Sequence, residues 1–254
     1  YEGPFDVVSV CVPTEFHADA LEKLLPARPG CVFCEKPLTG NLKETRYLVE
    51  AYEAAGVPMA VNYFRRWDPR IVALRDELAS GTWGRIQAIN GLYAKGLFNS
   101  GSHFFDMVHF LFGGLVPIKV LGQVDDGRIE DPTLSVFLQN ETGLPVILVG
   151  TNYRFFYPFE IDLVLEFGRI SIEDLGGQLR LRKVRPHPKY LHQQALDAGT
   201  WESTEMGSAM LRALDNIFGH LSTGTPITSN GRSALDVEEL CAEIMAIKNE
   251  GESR

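Results

Sequence analysis

The sequence predicts a parallel α/β unit followed by an α+β domain built on a large, mostly antiparallel open sheet with flanking helices. Two observations carry this prediction. In roughly the first sixty residues, apolar runs alternate with amphipathic segments, which is the pattern of strand–helix units in a parallel sheet. After residue 65, several short β-type runs follow one another with turn signals between them, as in antiparallel sheets.

Three short apolar runs are the predicted strands of the first part. Each run is continuous rather than alternating, so each fits a strand that is buried on both faces of a sheet. Short links through two helices predict right-handed parallel connections between the strands. The runs are "FDVVSVCVP", "GCVFC" and "VPMAVNYF".

Capping signals define the two helices between these strands. Thr14 is a predicted N-cap for "EFHADALEKLL". Asn41 and Glu44 have capping-box spacing at the start of "LKETRYLVEAYEAAG". Gly56 is placed to end that second helix in the left-handed conformation.

The second part opens with a helix that is signalled by Asp68 as N-cap and Pro69 at the first helical position. This helix is expected to stop near Gly81. A strand, "RIQAINGLYAK", and an aromatic-rich helix, "SHFFDMVHFLFGG", come next. The β-type runs that follow are "IKVLGQV", "TLSVFLQN", "LPVILVGTNY", "FEIDLVLEF", "RISIED" and "QLRLRKV".

The linker "NETG" between two of these runs predicts a hairpin. Two helices are predicted to close the chain. The first has an apolar face at helical spacing, and the second runs from about Ala234 to Lys248. The apolar face consists of Leu214, Ile217, Phe218 and Leu221.

Composition and charge restrict the class of protein. The 254 residues are 45% hydrophobic and 22% charged, with a mean hydropathy of −0.04, as in globular proteins. A net charge of −9 with scattered basic residues argues against a nucleic-acid or anionic-membrane partner. No apolar run approaches the ~18 residues of a membrane span, and "YEGPFDVVSV" lacks signal-peptide features, which predicts a cytoplasmic protein.

Four cysteines are too few for a disulfide framework, and Cys31 and Cys34 are the close pair among them. Residues three apart on a strand point to opposite faces, so this pair is poorly placed to share a metal or a bridge. We therefore predict that both thiols pack inside the sheet.

Polar residues at two predicted strand ends are the first candidates for chemistry. Ligands of open parallel sheets bind beyond the carboxyl ends of the strands. Thr14 and His17 follow the first strand, and Glu35 and Lys36 follow the second. The alternatives are structural, because Thr14 fits a helix cap and Lys36 a solvated loop charge.

An ordered set of motifs resembles the glucose-fructose oxidoreductase/inositol dehydrogenase (Gfo/Idh/MocA) family. The motifs are "VVSVCVPTEFHADA", "CEKPL", "VNYFRRWDPRI", "GTWGRI" and "NSGSHFFDMVHFLFG". The resemblance implies an NAD- or NADP-dependent dehydrogenase that acts on a sugar or nucleotide-sugar CH–OH group. It also implies that residues 1–64 are part of a Rossmann-like dinucleotide-binding domain, and that residues 65–254 form a substrate-binding and oligomerisation domain.

In this family the lysine of E-K-P lies between the nicotinamide and the substrate. The resemblance therefore implies that Lys36 donates a hydrogen bond to the reacting oxygen or helps to move its proton, while Pro37 fixes the turn that aims it. A partly desolvated lysine beside a cofactor loses pKa, which suits it to acid–base work. The residues that the resemblance assigns to cofactor binding are Pro13, Thr14, His17, Glu35, Lys36 and Pro37.

His103 is the second implied catalytic residue, since Gly101, His103 and Asp106 recur together in the resemblance. The alternative is a core histidine on an amphipathic helix. Many family members have an acidic residue four positions earlier, where this sequence has Asn99. An asparagine cannot orient the imidazole as an anion would, and it makes the motif more similar to members that oxidise nucleotide-linked amino sugars at C3.

Two further sets of residues have weaker signals. His103, Asp106 and His109 span an arc of ~120° on one helix, and the phenylalanines around them favour packing, so we predict no metal. Tyr63, Arg65 and Arg66 follow the third strand and are candidate substrate-binding residues. For one of the two arginines, a solvated surface position is an equally good interpretation.

The sequence contains no G-x-G-x-x-G turn, and its first strand matches the fourth strand of the family. We therefore expect that the pyrophosphate-binding half of the fold, on the order of 70 residues, is absent because the chain is a fragment. A natural variant that has lost this half is the alternative. The corresponding function hypotheses are a sugar dehydrogenase and a non-catalytic relative that binds sugar or oligomerises. A homodimer or homotetramer through the open sheet is expected, because an uncovered apolar face needs a partner.

Overall fold

A computed structural model of the chain describes residues 4–252. Within this range the chain forms two compact units. The first unit comprises the residues up to 67 together with 207–242, and the second comprises 68–206 together with the residues from 243 onward. The first unit is therefore discontinuous in sequence.

The first unit contains a three-stranded parallel sheet in the order β1–β2–β3, as predicted. Every residue of β2 and β3 is buried, because these strands are covered on both faces. The strands and helices of residues 4–67 are β1 (Val7–Val10), α1 (His17–Leu24), β2 (Cys31–Cys34), α2 (Leu42–Ala55) and β3 (Met59–Val61).

The Asn41 cap and the Gly56 helix end are confirmed, but the capping box is not, because the Asn41 N–H donates to Thr39 Oγ1 at 3.0 Å instead of to Glu44. The Asn41 side chain accepts a hydrogen bond from the Lys43 backbone N–H at 2.9 Å, and Gly56 ends α2 with a φ of 67°. The prediction for Thr14 is wrong: it lies in a 3₁₀ turn, Thr14–Phe16, and no side chain caps that turn or α1. Because the turn continues directly into α1, the backbone there needs no side-chain cap.

Two closing helices complete the chain, α5 (Ala209–Thr223) and α6 (Gly231–Glu252). Helix α6 begins before the predicted Ala234 and extends past Lys248. It starts earlier because Asn230 and Ser233 cap each other: the Ser233 N–H donates to Asn230 Oδ1 at 2.9 Å, and the Asn230 N–H donates to Ser233 Oγ at 3.2 Å.

The residues 207–242 belong with the first unit because they complete its core. Ala213, Ile217 and Ile227 pack in one buried cluster with Phe33 and Trp67. Packing therefore assigns these residues to the parallel sheet, whereas the functional division at residue 64 stays a prediction.

The second unit is a nine-stranded sheet in the order β11–β10–β9–β8–β4–β7–β6–β5, with β12 also paired to β10. All of its pairings are antiparallel except that of β4 with β7. Its elements are α3 (Pro69–Ala79), β4 (Ile86–Ala94), α4 (Ser102–Phe112), β5 (Leu115–Gln123), β6 (Leu134–Asn140), β7 (Pro145–Thr151), β8 (Phe159–Leu165), β9 (Gly168–Glu173), β10 (Gln178–Pro186), β11 (Gln194–Leu196) and β12 (Thr200–Ser203).

Local signals again account for the predicted elements of this unit. The Asp68 carboxylate accepts hydrogen bonds from the Arg70 and Ile71 N–H groups, which confirms the cap of α3. The β6–β7 hairpin is confirmed, and Asn140 Oδ1 accepts the Leu144 N–H within it. Strands β11 and β12 were not predicted, because they are short, polar and defined by pairing with β10.

Cys31 and Cys34 are buried free thiols, which confirms that they pack inside the sheet. Burial raises the pKa of the Cys31 thiol to about 11, and the pKa of Cys34 is also raised by burial. Within residues 4–252, no helix has the length and apolar character needed to cross a membrane.

Candidate active site

The E-K-P loop follows β2 at the carboxyl end of the parallel sheet. The Glu35 N–H donates to the Val10 carbonyl of β1 at 3.0 Å, and the Asn62 N–H donates to the Cys34 carbonyl at 2.9 Å. These backbone bonds hold the ends of all three strands together. Lys36 is half-buried, and the Lys36–Pro37 peptide bond is cis.

His17 links this loop to the one after β1. The residue is 1% exposed, with Nε2 lying 2.8 Å from the Val12 carbonyl oxygen. Its Nδ1 lies 3.0 Å from the carbonyl oxygen of Pro37 and 3.2 Å from that of Leu38. The imidazole thus fastens two loops to each other, and its predicted contact with a cofactor stays a prediction.

Asn62 contributes a polar group that the sequence had not identified as functional. The side chain is buried, and its Nδ2 donates to Glu35 Oε1 at 2.8 Å. Asn62 Oδ1 is buried without a hydrogen-bond partner. A buried acceptor of this kind is satisfied by a donor on a bound ligand or by an ordered water. The carboxamide of a nicotinamide ring carries N–H donors, so the residues at this strand end fit such a cofactor.

Pro13 and Thr14 lie at the carboxyl end of β1, where Pro13 is exposed and Thr14 half-buried. Because Thr14 does not cap a helix, its hydroxyl is not committed to that structural role. Their contact with a cofactor stays a prediction.

The residues after β3 are buried. Tyr63, Arg65 and Arg66 are 1%, 8% and 5% exposed, so the interpretation that one arginine is solvated is wrong. The Arg65 guanidinium stacks on the Phe64 ring at 4.7 Å, and Arg66 NH1 donates to the Thr228 carbonyl at 3.4 Å. Within residues 4–252, the Nε and NH1 atoms of Arg65 are buried without a hydrogen-bond partner. The contact of these residues with a substrate stays a prediction.

In the second unit, His103 lies in the first turn of α4, as expected. It is half-buried, and its ring meets the Phe159 ring edge-on at a centroid distance of 6.4 Å. A π-helical turn, Leu97–Gly101, precedes α4. Such turns are rare and frequently occur at functional sites.

Asp131 fixes this turn from a neighbouring loop. Its carboxylate accepts the Phe98 N–H at 2.8 Å and the Asn99 N–H at 3.1 Å. Arg128 NH2 donates to the same carboxylate at 3.1 Å. No local sequence signal marks this contact, because Asp131 lies 33 and 32 positions after Phe98 and Asn99, whose N–H groups it accepts.

Lys95 and Tyr157 surround Asn99 and Ser100 in the second unit. The Asn99 Nδ2 donates to the Lys95 carbonyl at 3.0 Å, and the Tyr157 hydroxyl donates to Ser100 Oγ at 3.3 Å. The Lys95 ammonium lies 5.8 Å from the centroid of the Tyr157 ring.

Among residues 4–252, no group of three or more His, Cys, Asp or Glu side chains is placed to hold a metal ion.

Comparison with known proteins agrees with this arrangement. Residues 2–63 match the Gfo/Idh/MocA model, described as an oxidoreductase family with an NAD-binding Rossmann fold. An inositol 2-dehydrogenase of Rhizobium meliloti is 30% identical over 203 residues, covering 71% of this chain and 58% of that protein. These matches support a Gfo/Idh/MocA oxidoreductase. The resemblance of the chain to this family and the predicted fold class are both confirmed.

Two further similarities are to a curated dehydrogenase and to a solved structure. A D-apiose dehydrogenase of Paraburkholderia graminis is 26% identical over 165 residues, covering 56% of this chain and 43% of that protein. The WlbA dehydrogenase of Bordetella pertussis, solved with NADH and UDP-GlcNAcA, has a TM-score of 0.78 at 18% identity, over 98% of this chain and 79% of that chain. The chain spans less than two thirds of the length of the two curated relatives, the inositol 2-dehydrogenase and the D-apiose dehydrogenase.

Proposed function

We propose that this chain serves an NAD(P)-dependent dehydrogenase that oxidises a CH–OH group of a sugar, a cyclic polyol or a nucleotide-linked sugar. The observation that carries the proposal is the position of Lys36. It lies in a loop that backbone bonds fix at the carboxyl ends of three parallel strands. The family match and the dehydrogenase relatives support the same chemistry.

The chain's own side chains supply the acid–base part of the reaction. A nicotinamide dinucleotide held at this strand end would supply the acceptor for the hydride of the carbinol carbon. Lys36 donates a hydrogen bond to the carbinol oxygen, where charge changes as the C–H bond breaks. By the family resemblance, His103 is the candidate acceptor for the hydroxyl proton. Loss of one hydride and one proton leaves a carbonyl product, so atoms and charge balance.

On the cofactor side, we assign Glu35 and Asn62 to the nicotinamide end of the site, with Pro13 and Thr14 beside them at the end of β1. The support is the buried Asn62 Oδ1, which has no hydrogen-bond partner, and the bond between Asn62 Nδ2 and Glu35. Asn62 Oδ1 presents an acceptor to a carboxamide donor, while Asn62 Nδ2 holds Glu35 in a fixed position.

Polyhydroxylated substrates are the class that the relatives favour, since inositol and apiose dehydrogenases are among them. The nucleotide-sugar subclass has a separate source of support. Asn99 stands where many family members have an acidic residue, and one solved structure of the same fold carries a UDP-sugar.

Binding and turnover measurements on the full-length protein test the proposal. Fluorescence titration with NADH and NADPH measures cofactor binding, and initial rates are measured with myo-inositol, D-apiose and UDP-GlcNAcA. We expect reduction of NAD⁺ or NADP⁺ with one of these substrates and loss of that rate in Lys36→Met. Binding of sugar without turnover under any condition would instead favour the non-catalytic relative.

We also propose that the open sheet of the second unit mediates homo-oligomerisation. Leu92, Ile147 and Val149 lie beside Glu160 and Asp162 in a concavity of about 230 Å³. Val149 is 38% exposed. Burial raises the pKa of the Glu160 carboxyl, and the negative charges of Glu173 and Asp162 raise it further. Light scattering compares the mass in solution of Val149→Lys with that of the wild type. An unchanged mass would contradict the proposal.

A further inference from the structure

A buried carboxylate in the first unit takes no part in the reaction described above. Glu238, on α6, is 5% exposed. Its Oε1 accepts the Leu38 backbone N–H at 2.6 Å, and its Oε2 accepts the Thr45 hydroxyl at 2.6 Å. Both donors are uncharged, so hydrogen bonds alone compensate this carboxylate for its lost hydration.

Burial of Glu238 is unfavourable, and its pKa shows this. Desolvation raises the pKa of Glu238 to about 7, although the hydrogen bonds from Thr45, Leu38 and Thr39 act in the opposite direction. An apolar residue at this position would avoid the burial cost. It would also leave a buried N–H and a buried hydroxyl without their acceptor, which is itself destabilising.

The hydrogen bond to Leu38 lies two residues beyond Lys36 in the chain. Thr45 Oγ1 contacts Thr39 Oγ1 at 2.7 Å, and Thr39 Oγ1 accepts the Asn41 N–H at 3.0 Å. Glu238 therefore joins the far end of the E-K-P loop to the start of α2. The near end of the loop is fixed by the Glu35 N–H on β1, so Lys36 lies between two anchored points.

We propose that Glu238 is a positioning residue for Lys36. By accepting the Leu38 N–H, it sets the path of residues 35–39 and so the place from which the Lys36 side chain reaches the reacting oxygen. This inference rests on the proposed function of Lys36, and it adds a residue from the closing helix to the machinery of the reaction. A displacement of about 1 Å in such a group costs on the order of 10²-fold in rate.

Hydrogen–deuterium exchange tests the anchor without any need for turnover. Glu238→Met keeps side-chain volume and removes both acceptors, so we expect the amides of Lys36, Leu38 and Thr39 to exchange about 10-fold faster or more than in wild type. Glu238→Gln can still accept the Leu38 N–H and donate to Thr45, so it should keep most of the protection. Glu239→Gln is the matched control, because Glu239 on the same helix pairs with Arg46 instead.

Turnover then tests whether the anchor acts through Lys36. Glu238→Met should lower kcat by about 10- to 10²-fold with little change in substrate KM, and Glu238→Gln should restore kcat to within a few-fold. In a Lys36→Met background, Glu238→Met should cause no further loss, because the group it positions is gone. If Glu238→Met does not fold, Glu238→Asp gives the same test with a carboxylate that is too short for both bonds.

Two results would overturn the inference: unchanged exchange of the Lys36, Leu38 and Thr39 amides in the folded Glu238 variants, or a loss of kcat in Glu238→Met that is equally large in the Lys36→Met background. A wild-type protein that binds NADH but turns over no substrate would defeat the proposed function instead. In that case the exchange measurement alone still decides whether Glu238 anchors the loop.

Discussion

The loop that carries Lys36 and the turn that precedes His103 are held in place by different kinds of contact. Side chains from three separate elements fasten the first: His17, Asn62 and Glu238, all of them buried. The second is a π-helical turn whose backbone N–H groups are accepted by Asp131, a carboxylate that is paired with Arg128.

This difference determines what each loop responds to. Buried ionisable groups without a charged partner couple a loop to pH, because protonation changes the cost of burying them. The second turn depends instead on local backbone geometry and on the pairing of Asp131 with Arg128. Substitutions in and around the two loops distinguish these two kinds of contact.

The largest effect is expected from Lys36→Met. Loss of the ammonium beside the reacting oxygen should lower kcat by about 10² or more, with a much smaller change in cofactor affinity. Lys43→Met is the control, because Lys43 is exposed in the first turn of α2. Steady-state kinetics and NADH titration on the same preparations provide the measurement, and an unchanged kcat would remove Lys36 from the mechanism.

His103→Asn should lower kcat by about 10²-fold while the melting temperature stays within a few degrees of wild type. The imidazole is half-buried, so its replacement removes a proton acceptor without opening the core. His109→Asn, on the same helix, controls for the loss of an imidazole from α4. A destabilised His103→Asn protein whose folded fraction keeps normal turnover would show that this residue is a core histidine.

Glu238→Gln should change how stability depends on pH. Because the folded-state pKa of Glu238 is raised to about 7, its contribution to stability is complete below pH 4.5 and is lost as pH rises through 7. At pH 8 the glutamine variant should therefore be more stable than wild type by roughly 2–3 kcal/mol. Urea unfolding at several pH values measures this, with Glu239→Gln as control, and a difference that does not vary with pH would contradict it.

Asn99→Asp should have the smallest effect, below about 10-fold in kcat. A carboxylate four positions before His103 favours the protonated imidazole, so the acidic limb of the kcat/KM profile should move to higher pH. The same change places a second anion beside Asp131 and removes the donor to the Lys95 carbonyl. Asn99→Ser removes that donor without adding charge, and a profile that shifts equally in both variants would rule out the electrostatic explanation.

Local rules made much of the fold predictable. The caps at Asn41 and Asp68, the turn at Gly56 and the β6–β7 hairpin each depend on residues within a few positions of one another. The buried parallel strands were also predictable, because a strand that is covered on both faces is apolar throughout.

Contacts between distant parts of the chain were not predictable in this way. Leu38 and Glu238 are 200 positions apart, and nothing in "DVEEL" marks one of its glutamates as buried. Asp131 likewise gives no local sign that it will accept the N–H groups of the π-helical turn. Strands β11 and β12 lack the apolar alternation that marks a strand in a sequence. They are strands because they pair with β10.

The discontinuous first unit has a consequence for the growing chain on the ribosome. Phe33 and Trp67 emerge early, but Ala213, Ile217 and Ile227, which cover them, are made far later. At 5–20 residues per second, the interval from Trp67 to Ala242 corresponds to roughly 10–35 s. During that time the apolar side chains of β2 and β3 lack their final cover, so the nascent parallel sheet is a target for chaperones until α5 and α6 are translated.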